Sequence, residues 1–129
     1  MDRESLSRLL AIPGFFVREV KFEPPTEGDR GFAWVVLERE RPRYRCPCGR
    51  VFTQPYDHST RALRDLPLGP WLTVLVLRLA RVDCFACGVK TEVLEWLAPH
   101  ARMTRRLAES IAVLCRAMTV EDAAPSVPT

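Results

Sequence analysis

Apolar and polar positions follow two periods along the chain. In residues 2–11 (DRESLSRLLA), Leu6, Leu9 and Leu10 share one face at helical spacing, which predicts a short helix that Pro13-Gly14 stops. From Phe16 to Glu23 the pattern alternates, with Val20 and Phe22 on one side and Glu19, Lys21 and Glu23 on the other, as in a half-buried strand. Pro24-Pro25, Gly28 and Gly31 mark a loop. Phe32 to Glu40 is a second strand, expected to pair with the first as a hairpin. Residues 41–50 form a basic, cysteine-bearing turn, and 53–70 read as irregular because of Pro55, Pro67, Gly69 and Pro70. Trp71 to Val82, rich in Leu and Val, is a long strand. A second cysteine turn follows at 84–88, then a short strand from Val89 to Leu97. Leu107, Ile111, Leu114 and Met118 fall on one stripe, which predicts a helix from Thr104 to Met118 with Thr104 as its cap. Thr119-Val120-Glu121-Asp122 resembles a capping-box restart, cut short by Pro125, and the tail APSVPT should fray.

Composition narrows the class. A chain of 129 residues, 47% hydrophobic and 27% charged, has room for one ordinary domain or two very small ones. The longest apolar stretch, Trp71 to Leu77, is interrupted by Thr73, so no membrane span is expected. The N-terminus MDRESLSRLL carries acids before any apolar run, unlike a secretory signal, and the expected compartment is a reducing cytoplasm. Charge is uneven. Residues 41–82 hold eight cations, all arginine, against two acids, whereas 1–40 hold six against eight and 83–129 five against six. An arginine excess suits phosphate oxygens, but it is equally what an arginine-rich composition with solvated strand faces would give, and the chain has only two lysines.

Four of the five cysteines sit in two tight pairs, Cys46-Pro47-Cys48-Gly49 and Cys84-Phe85-Ala86-Cys87-Gly88, each followed by glycine. In a zinc knuckle the backbone wraps so that its amides face the thiolates, and glycine after the second cysteine tolerates the left-handed conformation this needs. Cys46, Cys48, Cys84 and Cys87 are therefore the candidate zinc ligands, and zinc the candidate cofactor. The first pair is one residue shorter than the usual knuckle, which keeps His58, and behind it Asp57 and His100, as fallback ligands. The alternative is that the thiols are reduced, buried and idle. Cys115, near the apolar stripe of the last helix, is expected to be a small core residue. The fold class is then α+β: a small antiparallel zinc-ribbon-like β-domain with an N-terminal helix over 1–100, followed by a C-terminal amphipathic helix and tail over 101–129.

CPCG, Tyr56-Asp57, Arg61-Ala62-Leu63-Arg64-Asp65-Leu66, Leu79-Ala80-Arg81-Val82, CFACGVKT, Glu95-Trp96 and Ala101-Arg102-Met103-Thr104-Arg105, in this order, resemble the N-terminal part of ISL-three-type insertion-sequence transposases. The likeness runs from about Phe32 to Met118. It implies a zinc-binding domain holding its ion through the four paired cysteines, with Thr104 opening the first helix of a helix-turn-helix. It also implies binding to double-stranded DNA at the ends of a mobile element. The Asp-Asp-Glu catalytic domain of that family would lie beyond Thr129, so the chain is expected to be a truncated, non-catalytic portion. The phosphate-contact candidates are Arg43, Arg45, Arg50, Arg61, Arg64, Arg102, Arg105 and Arg106. The last three open a helix, where positive charge opposes the helix dipole and gains from a phosphate partner. The competing reading is a zinc-stapled interaction module, a homodimer for instance, with Trp34, Trp71 and Trp96 as anchors. Catalysis by Asp57-His58-Ser59 or by Cys115 lacks a triad in order or context, and no small-molecule substrate is expected.

Overall fold

The computed structural model describes residues 2–117. Helix α1 (Arg3–Leu10) is capped by the Asp2 carboxylate on the Ser5 amide and ends at Ala11 in the left-handed conformation; it buries Leu6 and Leu10. Strands β1 (Phe15–Glu23) and β2 (Gly31–Arg39) form the expected antiparallel hairpin, with a register shift between Val17 and Glu19. Strand β3 (Tyr44–Arg45) pairs with β4 (Val51–Phe52) to carry the first cysteine turn. Strands β5 (Asp57–Leu68), β6 (Trp71–Cys84) and β7 (Gly88–Thr91) follow, then helix α2 (Arg105–Ala117).

The α+β class stands, with the sheet order β1-β2-β6-β5 and β7 also on β6. Three differences from the sequence reading matter. The sheet is mixed rather than wholly antiparallel, because β2 and β6 run parallel, from Gly31 opposite Trp71 to Val36 opposite Val76. Residues 53–70 are not irregular: they contain the 12-residue β5, antiparallel to β6 from Asp57↔Arg81 to Leu68↔Trp71. Its outer positions are polar and only Leu63 and Asp65 are buried, so its apolar alternation is nearly silent; Pro67 is accommodated at the irregularity between Asp65 and Leu68. The strand expected from Val89 to Leu97 stops at Thr91, after which the chain turns through a Leu94–Leu97 bridge.

Strand β6 serves two cores. Leu75 and Leu77 join Leu6, Leu10, Ile12, Phe15, Val17, Val35, Leu37, Leu63 and Leu97 in the main one. Ala80, Val82 and Cys84 join Tyr44 and Cys46 in a second, smaller one. Because strand side chains alternate in direction, one long strand can feed both.

On its β2 side, β6 loses its partner after Val76 and gains β7 only at Arg81. Glu92 fills that gap. Its amide donates to the Ala80 carbonyl (2.9 Å), and its carboxylate accepts from the Ala80 amide (2.7 Å) and from Arg39 (2.6 Å). The Arg39 guanidinium lies between the Phe15 and Tyr44 rings, 4.9 and 4.4 Å from their centroids.

Thr104 caps α2 as expected: it is buried and its hydroxyl oxygen accepts from the Leu107 amide at 3.3 Å. The stripe it opens is not covered, however. No residue of α2 is buried, and Ile111, Val113 and Leu114 are exposed. Cys115 is exposed too, not a core residue, because α2 buries none of its side chains. Met118, the restart at Thr119 and the tail lie outside the described residues. Of the three tryptophans, Trp96 packs edge-on against Phe15 (5.7 Å), Trp71 against Phe22 (4.9 Å) and Trp34 against Phe32 (5.9 Å).

Candidate metal centre

Strands β3 and β4 present one cysteine pair and the β6–β7 turn the other. The Cys46 amide donates to the Arg50 carbonyl and the Gly49 amide to the Cys46 carbonyl, both at 2.8 Å, closing a turn that folds Cys48 back beside Cys46. Gly49 and Gly88 take φ values of 99° and 80°, left-handed conformations that a side chain would strain. The one-residue spacer of the first pair is thus accommodated by a tight turn.

The sulfurs of Cys46, Cys48, Cys84 and Cys87 all lie within 4.8 Å of one another. A tetrahedral ion with metal–sulfur bonds of about 2.3 Å has edges of about 3.8 Å, and Cys48 Sγ lies 3.8 Å from Cys84 Sγ. Cys46 and Cys84 are buried, Cys87 half-buried and Cys48 exposed. The arrangement therefore fits a divalent, sulfur-preferring ion. The fallback ligands lie elsewhere. His58 Nδ1 sits 3.1 Å from the Arg78 guanidinium, Asp57 pairs with Arg81, and His100 occupies a left-handed turn outside the cluster.

The electrostatics of the thiols point the same way. The Arg50 amide, and then its guanidinium with Nη1 at 3.4 Å, pull the Cys48 thiol down to about 6. Cys87 is pushed up to about 12 by hydrogen bonding with Cys48 and Cys46 and by burial. Burial opposes ionisation of Cys84, but the amides of Ala86 and Cys87 outweigh it and the thiol is lowered. At Cys46 the Cys48 amide favours the thiolate, yet burial and the neighbouring sulfurs win and the thiol is raised. Four sulfurs this close cannot all be thiolates unless a cation shares the space.

The arginines divide by place. Arg43, Arg45 and Arg50 are exposed on or beside the β3–β4 turn; Arg45 lies 3.9 Å from Glu95, and Arg50 covers one face of Phe85 at 4.4 Å. Arg64 and Arg102 are exposed neighbours, the Arg64 amide donating to the Arg102 carbonyl at 2.9 Å. Arg61 and Arg105 rim a cavity of about 470 Å³ floored by Leu63, Leu79, Leu94 and Leu97. Arg106 differs: it is committed to the buried Asp65 carboxylate and to the Leu10 carbonyl. Asp65, Glu92 and Arg39 escaped the sequence reading, since each takes its role from a partner far along the chain.

The fold is thus a small mixed-sheet domain with a four-sulfur centre at one end and a helix docked at its edge. The family model "Helix-turn-helix domain of transposase family ISL3" matches residues 92–125. A curated relative, the "Transposase for insertion sequence element IS1001" of Bordetella parapertussis, is 27% identical over 122 residues, covering 94% of this chain. The chain spans 30% of that relative's length. No solved structure matches. Both matches support the resemblance read from the cysteine and arginine motifs. The helix-turn-helix match begins at Glu92, directly after β7 ends, and takes in the whole of α2. No helix among the described residues is long and apolar enough to cross a membrane.

Proposed function

We propose that the chain is a zinc-stapled DNA-binding portion of an ISL-three-type transposase that recognises double-stranded DNA at the ends of an insertion sequence, with the strand-transfer chemistry lying outside it. The observation that carries this reading is the helix-turn-helix match over 92–125 on a helix whose first turn is bound to the cysteine-bearing sheet. Zinc is the ion of choice because four cysteine sulfurs within 4.8 Å of one another would form a closed structural site with no open position for substrate. Its role is to hold the β3–β4 turn against the end of β6. Arg50 partly offsets the negative charge that four thiolates leave on the centre.

Arg43, Arg45, Arg50, Arg61, Arg64, Arg102 and Arg105, all exposed, are the phosphate contacts of this reading, whereas Arg106 is engaged by Asp65, and the cytoplasm is the compartment in which the thiols stay reduced. Anisotropy titration of a labelled duplex across a salt series tests the DNA reading: binding should weaken steeply and log-linearly with salt. Binding of no duplex at low salt overturns it. Native mass spectrometry tests the ion, with one zinc per chain expected and none after Cys84 and Cys87 are both changed to serine. The uncovered Ile111, Val113 and Leu114 favour a second reading, a protein-interaction or homodimer role for α2, and light scattering on the metal-loaded chain reads that directly.

A further inference from the structure

We propose that Phe85, backed by Arg50, is a stacking platform for one unpaired base of bound DNA; this rests on the DNA-binding reading and adds a base contact to it. Phe85 is 84% exposed, the most exposed large apolar side chain among the described residues. It stands at the tip of the second cysteine turn, between two residues of the sulfur cluster, Cys84 and Cys87, so its backbone is held by the centre while its ring projects into solvent. The Arg50 guanidinium lies 4.4 Å from the ring centroid.

That contact decides the mode. A ring that slips between two stacked base pairs needs both faces free. Here one face carries a cation, which leaves a single face for a single base and sets a positive charge beside that nucleotide's phosphate. The surroundings fit the same partner. At this end of the sheet, exposed Tyr56 carries Arg81 5.5 Å from its ring, and Arg45 and Lys90 are exposed. Asp57 is taken by Arg81 and Glu95 lies beside Arg45, which leaves Asp83 as the acid near the tip that forms no ion pair among the described residues. Interleaved aromatic rings and cations on one rigid end form the surface that single-stranded or extruded nucleotides favour.

The experiment compares two labelled duplexes of identical sequence, one blunt and one carrying a single unpaired 3′-terminal base, against the metal-loaded chain. Wild type should bind the overhang duplex about tenfold more tightly. Phe85→Ala should reduce that preference to less than about twofold while leaving blunt-duplex affinity, zinc content and Tm unchanged, and Phe85→Trp should keep it. The platform is overturned if wild type binds both duplexes equally with the expected salt dependence, which leaves the DNA reading standing. It is also overturned if Phe85→Ala keeps the preference. Loss of self-association in Phe85→Ala without any base preference would assign the ring to a protein contact instead. Binding of neither duplex overturns both readings together.

Discussion

Asp65 and Arg106, 41 residues apart, form the joint between sheet and helix: the Arg106 guanidinium grips a carboxylate whose side chain is wholly buried on β5. The Thr104 hydroxyl donates to the same carboxylate at 2.6 Å while capping α2. Burial pushes the Asp65 carboxyl up, but the bonds from Arg106 and Thr104 outweigh it and hold the group below its ordinary 3.8. A depressed carboxyl stabilises the fold above its unfolded value and loses that contribution as pH falls through the folded one. Asp65→Asn should therefore cost about 3 kcal/mol at neutral pH, the lower end for breaking a buried pair because Arg106 keeps some access to water. The gap to wild type should close only below pH 3.8, as denaturant melts across an acid series will show.

Glu92 presents a different arrangement, an acid standing in for a missing strand. Glu92→Gln keeps an acceptor for the Ala80 amide and should cost less than Glu92→Ala, which leaves that amide without a partner and Arg39 without its counter-charge, at about 3–5 kcal/mol. Arg39→Lys should also destabilise measurably, because a lysine cannot stack as a planar group between the Phe15 and Tyr44 rings. Thermal melts of the three variants check the order.

Removing the ion should unfold the molecule unevenly. The second core is built from Tyr44, Cys46, Ala80, Val82 and Cys84 and shares no residue with the main one. In the metal-free chain, hydrogen exchange at Arg45 and Val51 should accelerate strongly while Val35 and Leu75 stay protected. Uniform loss of protection would mean the two cores are one cooperative unit.

Metal binding should also release protons at neutral pH, since Cys87 titrates at about 12 and Cys46 is raised, whereas Cys48 at about 6 is already ionised. Affinity should fall as pH falls, with the apparent Kd read by competition with a chelating dye at pH 6, 7 and 8.

The arginines should separate into two behaviours. Arg64→Ala and Arg105→Ala should each lower the salt slope of duplex binding by about one and leave stability within about 0.5 kcal/mol. Arg106→Ala should lower Tm instead, because its charge is spent inside the fold.

Much of this was legible in the sequence because it is local. Thr104 announces its helix, the β1 and β2 alternation announces a hairpin, and the glycines after each cysteine pair announce left-handed turns. Strand β5 was hidden because an edge strand with His58, Thr60 and Arg64 exposed has no apolar period to read. The parallel pairing of β2 with β6 depends on a crossover and leaves no mark at either strand. Asp65, Glu92 and Arg39 carry charge that local pattern assigns to solvent; partners 41 and 53 residues away bury it. For the same reason Arg106 reads as one more helix-start cation until Asp65 is placed beneath it.

The parallel ladder between β2 and β6 has a consequence for assembly. Cys46 and Cys48 hang from the crossover that joins those strands, and Cys84 and Cys87 follow only when β6 is complete. During synthesis no four-sulfur pocket can exist until about two thirds of the chain, through Cys87, has emerged. A chain arrested before residue 84 would leave the ribosome with half a pocket and nothing to close it.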